Sequence, residues 1–450
     1  MRGKKEFFLF LSTMLAVVLL LGAVVQAEDY DLGGRTIRYL PLVALGGVEL
    51  DQALLDRIEE LEEKYNFEFE FVDLMEIVDF SRRSGNMYQD IINAILSGKI
   101  DIFDFPGDSD VYSMFKEANV FYPLDTILGS EYLDELPEMY RPIRDALLHN
   151  GRQITVPAPI IPGGGEVYPH EFALVVLWNK EIFDKLGLIT PYELQESGQW
   201  TWDAMMTLAS QAARDIDGDG KTDQFGIAGL DNAYTMVVAL DAAGFPLLRQ
   251  TGDRLEFAGN NPLTIGALQV YQNLIFIERS AYSELLYRRS PFEVFNEGGI
   301  AMLVTPLFEV LFREQSRIII DAGMVLLPKG DVNQDHVIKS WSMNLTGISI
   351  LEQEPEAVLA IFREIFQIDQ QEESVALRAQ QVGRGGDVFR TYNHLMNNWI
   401  PAPEYELEFA TRSDIMNQIN RIINQRARAD QVMRMAEPAL QRYLDRIQNQ

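Results

Sequence analysis

The chain contains no cysteine and only four histidines among its 450 residues. The absence of cysteine excludes disulfides, thiolate metal sites, cysteine nucleophiles and a lipid anchor on an N-terminal cysteine. The histidines show no zinc-protease spacing, and no GxSxG or GxGxxG motif occurs. The sequence therefore points to no catalytic site, although the paired carboxylates that a glycosidase uses stay open, because carboxylates are plentiful.

Positive charge is scarce as well. Lys and Arg total 38 against 67 Asp and Glu, which gives a formal net charge of -29. Such an acidic surface repels phosphate backbones and anionic lipid headgroups. We therefore expect no nucleic-acid partner and no peripheral membrane binding.

Long apolar runs are confined to the N-terminus. Arg2, Lys4 and Lys5 precede an apolar run over residues 7–25, and the sequence VQA at residues 25–27 leads into acidic residues. This order is typical of a secretory signal peptide, which we predict to span residues 1–27. An uncleaved membrane anchor is the alternative, because the run is almost long enough to cross a bilayer. We expect an exported protein, periplasmic or extracellular, with no lipid anchor through cysteine.

The remaining chain is too long for a single core, so its length predicts two lobes or more. Strand and helix patterns alternate on both sides of a Pro/Gly-rich stretch, which is typical of a crossing between lobes. This alternation predicts parallel sheets with helices on their faces. The segments are strands near residues 36–42, 67–71, 100–105, 174–178, 224–228, 300–304 and 323–327, helices near 51–65, 88–96, 201–214, 234–243, 264–279 and 355–368, and the stretch 157–165.

Four segments stand out in order along the chain: LWNKEIFDKLG at residues 177–187, GQWTWD at 198–203, DGDGKTDQFG at 217–226 and FNEGGIAM at 295–302. Together they resemble segments of extracellular solute-binding proteins of the family that includes maltose-binding protein. The resemblance implies a periplasmic-binding-protein-like fold, with two α/β lobes, a ligand cleft between them and a multi-segment hinge. It implies a first lobe of residues 28–155 plus about 345–375, and a second of about 156–340 plus about 380–450.

The resemblance also implies a function. A protein of this family delivers a carbohydrate, here expected to be an oligosaccharide, to the membrane permease of an ABC importer by closing its cleft. We expect a monomer that is not an enzyme and has no cofactor. Two alternatives stay open: a ligand-binding receptor subunit for a membrane sensor, and a secreted carbohydrate-active enzyme.

Candidate ligand-binding residues lie on loops after strands and near the crossings, where aromatic rings and polar groups can hold a sugar. The resemblance places an aromatic residue and a carboxylate of the sugar site at Phe105 and Asp108, and it makes the segment of Trp341 the second crossing. The other candidates are Tyr168 and Glu171 by the first crossing, Asn232, Tyr234 and Phe308 after strands, and Arg384 in a glycine-rich loop. For each of them a structural role in the core, a turn or a surface loop is the competing interpretation.

Two further patterns concern structure rather than the cleft. Asp215, Asp217, Asp219 and Asp223 have the spacing of the first half of an EF-hand loop, which predicts a structural Ca²⁺ site with a simple Asx/Gly turn as the alternative. Thr201 is predicted to cap a helix, and helical periodicity assigns Trp200 and Trp202 to the core.

Overall fold

The structure is a computed structural model of the chain. It describes residues 30–41, 50–78, 87–107, 109–129, 132–136, 140, 143–144, 147–149, 151–159, 169–252, 254–312, 318–340, 344–367, 386–402, 409 and 413–448. Within these ranges, no helix has both the length and the apolar character needed to cross a membrane. The predicted signal peptide lies outside them.

Strands and helices alternate over most of the described chain. The strands are β1 (Arg35–Leu40), β2 (Phe67–Phe71), β3 (Ile102–Pro106), β4 (Leu148–His149), β5 (Arg152–Gln153), β6 (Val156–Pro157), β7 (Leu174–Asn179), β8 (Phe225–Ala228), β9 (Leu248–Thr251), β10 (Arg254–Phe257), β11 (Ile300–Pro306), β12 (Ala322–Leu326), β13 (Lys339–Ser340), β14 (Asn344–Ile348) and β15 (Ile400–Pro401). The helices are α1 (Gln52–Tyr65), α2 (Leu74–Ile77), α3 (Met87–Leu96), α4 (Ser109–Glu117), α5 (Tyr132–Glu135), α6 (Lys180–Leu186), α7 (Pro191–Glu196), α8 (Trp202–Ala212), α9 (Ala233–Ala242), α10 (Pro262–Phe276), α11 (Glu284–Tyr287), α12 (Pro291–Asn296), α13 (Leu307–Phe312), α14 (Pro355–Phe366), α15 (Gly386–Asn398), α16 (Ser413–Gln425) and α17 (Ala429–Ile447).

The first lobe is built on a sheet with the order β2-β1-β3-β14-β6. On one face α1 and α14 pack around Tyr39 and Phe362, whose ring centroids are 5.0 Å apart. The other face carries Phe103 and Phe105 among further aromatic side chains. Because β6 belongs to this sheet, the sheet continues just beyond residue 155.

The second lobe is built on a sheet with the order β12-β7-β11-β8. Helices α8, α9, α10, α16 and α17 bury one face of it. Helices α12 and α15 cover the other face, against β11 and β12 respectively. The C-terminal helices therefore complete the second lobe, although they are remote in sequence from its strands.

Both sheets are mixed, which corrects the prediction of parallel sheets. In the first sheet β14 runs antiparallel to β3 and β6, and in the second β7 runs antiparallel to β11 and β12. The reason lies in the connections between the lobes. Each of these two strands starts where a crossing arrives at the edge at which its neighbouring strands end, so it can only run back through the sheet.

Helix α1 shows how the local sequence sets an element. Asp51 accepts a hydrogen bond from the backbone N–H of Ala53 and so caps the helix, and the apolar face is buried as its 3.6-residue period predicts. The helix ends at Asn66, whose φ of 52° is left-handed. The buried residues are Leu54, Ile58, Leu61 and Tyr65.

The start of α8 confirms the structural assignment of the two tryptophans. Thr201 accepts a hydrogen bond from the N–H of Ala204, as the prediction of a cap requires. Trp200 and Trp202 are 0% and 1% exposed, and the indole N–H of Trp200 donates to the carbonyl of Leu326 over 2.7 Å. Both rings therefore belong to the core of the second lobe.

Candidate functional site

Each sheet has one edge at which most of its strands end, and this is where open α/β sheets hold ligands. In the first sheet β1, β2, β3 and β6 end there and β14 begins there, since Asn344 pairs with Pro106. In the second sheet β8, β11 and β12 end there and β7 begins there, since Leu174 pairs with Pro306. We call these the two carboxyl edges.

The chain crosses between the sheets twice from one carboxyl edge to the other. The first crossing leaves the end of β6 and enters β7, and the second leaves the end of β12 and enters β14. Both crossings therefore join the carboxyl edge of one lobe to that of the other. Ligand residues of α/β proteins usually lie on loops at such edges, so this region is the candidate site for a small ligand.

Four of the predicted ligand-binding residues, Asp108, Tyr168, Trp341 and Arg384, lie outside the described residues, and their roles stay predictions. Phe105 is described, one residue before the end of β3. Its side chain is 1% exposed and its ring packs between Phe115 and Phe121, with centroids 5.3 and 5.4 Å away. In this structure its ring is therefore a core ring, because β3 turns it toward the aromatic cluster under the sheet. Contact with a ligand stays an untested prediction.

Glu171 lies at the second carboxyl edge, in the 3₁₀ turn that leads into β7, and it is fully buried. Its carboxylate accepts a hydrogen bond of 3.1 Å from the hydroxyl of Tyr392, on α15. Buried carboxylates need such donors. The side chain that the sequence placed by the crossing thus joins the crossing to a C-terminal helix in this structure.

Asn232 and Tyr234 follow β8 at the same edge. The amide oxygen of Asn232 accepts from the N–H groups of Tyr234, at 2.8 Å, and Thr235, at 3.4 Å, and so caps α9. The cap uses only the amide oxygen, and the exposed Asn232 also carries its amide NH₂ group at this edge. The ring of Tyr234 is half-buried against the core of the second lobe.

Phe308 follows β11 and forms an aromatic pair with Phe172, with centroids 5.3 Å apart. Both rings are half-buried at the second carboxyl edge. Phe172 comes just before β7 and Phe308 just after β11, the strand that pairs with β7. Half-exposed rings at such a position can pack against the C–H faces of a sugar. The sequence analysis had identified Phe308 and missed Phe172.

Other edge residues were missed too. Asp73 follows β2 and caps α2, and Asp231 follows β8 and accepts from the N–H of Glu284 over 2.8 Å. The signal that could have found both is their position shortly after a strand, the rule that identified Asn232.

A buried carboxylate also lies in the middle of the first sheet. Asp104 on β3 accepts hydrogen bonds from the hydroxyls of Tyr39 on β1 and Thr346 on β14. Burial raises the pKa of Tyr39 well above its ordinary value, and the negative charge of Asp104 raises it further. Tyr39 therefore stays protonated and donates, so this polar group links three strands two residues from the carboxyl edge.

The aspartate-rich loop brings together three of its four predicted ligands. One carboxylate oxygen from each of Asp215, Asp217 and Asp223 lies within 4.8 Å of the others, at exposed positions. Asp219 departs from this group because it pairs with Lys221 at 2.8 Å, which lowers the pKa of Asp219. Three carboxylates suit a hard cation. The loop also satisfies itself by hydrogen bonds, such as the bond from the N–H of Gly220 to Asp215, so calcium binding stays a prediction.

A shallow depression of about 300 Å³ lies elsewhere on the second lobe. Its walls come from the β9–β10 hairpin and the start of α10, with Arg249 opposite Glu256. None of the predicted ligand-binding residues lines it.

No protein-family model and no curated protein sequence matches this chain. Solved structures do match over nearly its whole length. An ABC substrate-binding protein of Listeria monocytogenes in complex with cycloalternan is 15% identical with a TM-score of 0.62, covering 92% of this chain and 99% of that one. A maltose/maltodextrin-binding domain of Bdellovibrio bacteriovorus bound to maltotriose is 15% identical with a TM-score of 0.58, covering 91% and 100%.

A third similar structure has a different ligand. UgpB of Mycobacterium tuberculosis in complex with glycerophosphocholine is 16% identical with a TM-score of 0.59, and the match covers 91% of this chain and 98% of that one. At such identities the likeness establishes the fold and not the ligand. The chain has the two-lobed α/β fold of ABC substrate-binding proteins.

Proposed function

We propose that this chain is an extracytoplasmic solute-binding protein, not an enzyme, that binds a carbohydrate between its lobes and delivers it to an ABC importer. The observation that carries the proposal is the pair of carboxyl edges that both crossings join, in a fold shared over nine-tenths of the chain with saccharide-binding proteins. The apolar leader over residues 7–25 supports export, and the absence of cysteine supports a protein without a lipid anchor.

The chemistry of the second edge favours a neutral, hydroxyl-rich ligand. The Phe172–Phe308 pair offers aromatic surface, and Asn232 and Asp231 offer amide and carboxylate groups at the same edge. Sugars are bound by this combination of ring faces and polar groups that accept from hydroxyls. The free protein would already interconvert between open and closed arrangements of its lobes. The ligand would stabilise the closed form and so shift this equilibrium toward it.

The test is a thermal-shift screen of residues 28–450 against maltotriose, other saccharides, glycerophosphocholine and peptides, each with and without Ca²⁺. Binding raises the midpoint because the ligand binds only the folded chain. We expect a saccharide to stabilise the protein and to be recovered unchanged after long incubation. Stabilisation by glycerophosphocholine or peptides alone would overturn the carbohydrate assignment, and turnover of the sugar would favour an enzyme.

A variant pair locates the site. Phe308→Ala should weaken saccharide binding by about tenfold or more, since a stacked ring contributes on the order of 1–2 kcal/mol. The control is Phe276→Ala, another half-buried ring of the second lobe, which lies at the end of α10 against the guanidinium of Arg426. Equal binding by both variants would place the ligand away from the Phe172–Phe308 pair.

A further inference from the structure

The segment from α15 to β15 contacts both crossings. Tyr392, fully buried on α15, donates its hydroxyl to Glu171 of the first crossing. Two residues after α15, β15 pairs in parallel with β13, which belongs to the second crossing. The N–H of Ile400 donates to the carbonyl of Ile338 over 2.9 Å, and that of Ala402 to Ser340 over 2.8 Å.

An ion pair joins the same stretch of the second crossing to α9. The ammonium of Lys339 lies 2.8 Å from a carboxylate oxygen of Asp241, and the two side chains are only 13% and 12% exposed. Most other ion pairs of the described residues have at least one partner well exposed, as in Glu181–Lys185 at 72% and 70%. A largely buried pair is costly to break, because removal of one partner leaves the other charge without compensation.

The position of Asp241 adds to this argument. It is the penultimate residue of α9, where the negative end of the helix dipole disfavours a carboxylate, and the last turn of α9 contains no basic residue. Lys339 supplies the missing positive charge from the crossing. The same helix begins at Asn232 on the carboxyl edge, so α9 connects the edge to the crossing.

We propose that β13, β15 and the Lys339–Asp241 pair form a clasp that holds the second crossing on the second lobe and sets the relative position of the lobes before a ligand binds. In this proposal Lys339 and Asp241 act as positioning residues. The clasp restricts the ligand-free ensemble, so less conformational entropy is lost on closure. The effect of the clasp on ligand affinity rests on the proposed function, whereas its effect on how firmly the second crossing is held does not.

Hydrogen exchange tests the clasp without any ligand. In Lys339→Met the backbone amides of Ile400 and Ala402 should exchange at least about fivefold faster than in the parent chain. A factor of about five is the lower end of the energetic coupling usually found between sites. Asp241→Asn should increase exchange to a similar extent, and in the double variant the two amides should exchange no faster than in either single variant. Lys185→Met, which breaks an exposed pair of the same lobe, should leave both amides unchanged. Unchanged exchange in Lys339→Met and Asp241→Asn would overturn the clasp.

Two further measurements test its role between the lobes. Small-angle scattering of ligand-free Lys339→Met should show a larger radius of gyration than the parent chain, and maltotriose should bind about fivefold more weakly. An unchanged radius of gyration would reject the positioning role. If the parent chain bound no saccharide of the screen, the proposed function would fail, while exchange and scattering would still decide about the clasp.

Discussion

The two lobes stabilise sheets of similar size by different means. In the second lobe the central strands β7 and β11 are buried along almost their whole length and carry mostly apolar residues, LVVLWN and IAMLVTP. Helices cover both faces of this sheet, and Trp200 and Trp202 fill the space beside it. Its stability rests on apolar burial and close packing.

The first lobe places charge inside. Asp104 lies at the centre of its sheet, and Arg35 at the start of β1 makes a two-pronged contact with Glu352, with N–O distances of 2.7 and 2.6 Å. This contact ties β1 to the segment between β14 and α14. Comparison of the lobes shows a carboxylate at the centre of the first sheet, whereas the buried charges of the second lobe, Glu171 and the Lys339–Asp241 pair, lie outside its central sheet.

The largest effect is expected in the apolar lobe. Trp200→Ala should lower the free energy of unfolding by about 3–5 kcal/mol, because it leaves a large cavity and removes the donor to the carbonyl of Leu326. Chemical denaturation followed by circular dichroism measures it. Trp200→Phe is the control that fills much of the cavity and should lose less. A loss below about 1 kcal/mol would show that packing in this lobe adapts easily.

The next effect concerns the polar centre of the first lobe. Asp104→Ala should lower the free energy of unfolding by about 2–3 kcal/mol, because the hydroxyls of Tyr39 and Thr346 lose their acceptor. Thr346→Val removes only one of the two donors and should lower the free energy of unfolding by less. Chemical denaturation of both variants measures the two losses. If Asp104→Ala were as stable as the parent, the buried carboxylate would not stabilise this sheet and the contrast between the lobes would weaken.

The smallest effect depends on pH. Burial by itself raises the pKa of Glu352. The hydrogen bonds and charge of Arg35, together with hydrogen bonds from the backbone N–H groups of Glu354 and Gln353, outweigh burial, so the pKa lies below its ordinary value of 4.5. The stabilisation is therefore present above pH 4.5 and is lost as the pH falls through the lowered pKa. Glu352→Gln should destabilise the chain by about 1–2 kcal/mol at pH 7 and by less at pH 3.

The matched control for this prediction is Glu354→Gln. Glu354 also faces Arg35, but at 3.5 Å and with a half-exposed side chain, so its loss should change stability by less than about 0.5 kcal/mol. Urea unfolding at both pH values compares the two variants. An equal, pH-independent loss in both would mean that shape rather than charge stabilises the contact.

Most helices and strands followed from local pattern. The period of Leu54, Ile58, Leu61 and Tyr65 predicted α1 with its buried face, and the segment around Trp200 predicted the start of α8 with its cap. The direction of β7 and β14 did not follow, because strand direction depends on where a crossing enters the sheet. The β9–β10 hairpin also escaped the prediction.

The candidate site followed in part. The rule that ligand residues come after strands led to Asn232 and Phe308, which lie at the second carboxyl edge, and overlooked Phe172 and Asp231 on the same edge. It also selected Phe105, whose side chain the structure turns into the core. A position along the chain identifies the edge, but the face on which a side chain lies depends on the strand pairing.

The sequence by itself determined most of the helices and strands, the acidic surface and the exclusion of cysteine chemistry, because these depend on composition and short-range periodicity. Only the tertiary structure decided that α15 and β15 return to both crossings, that Lys339 meets Asp241 and that Phe172 lies against Phe308. The Glu171–Tyr392 bond, for example, joins residues 221 positions apart, a separation over which no local pattern carries information.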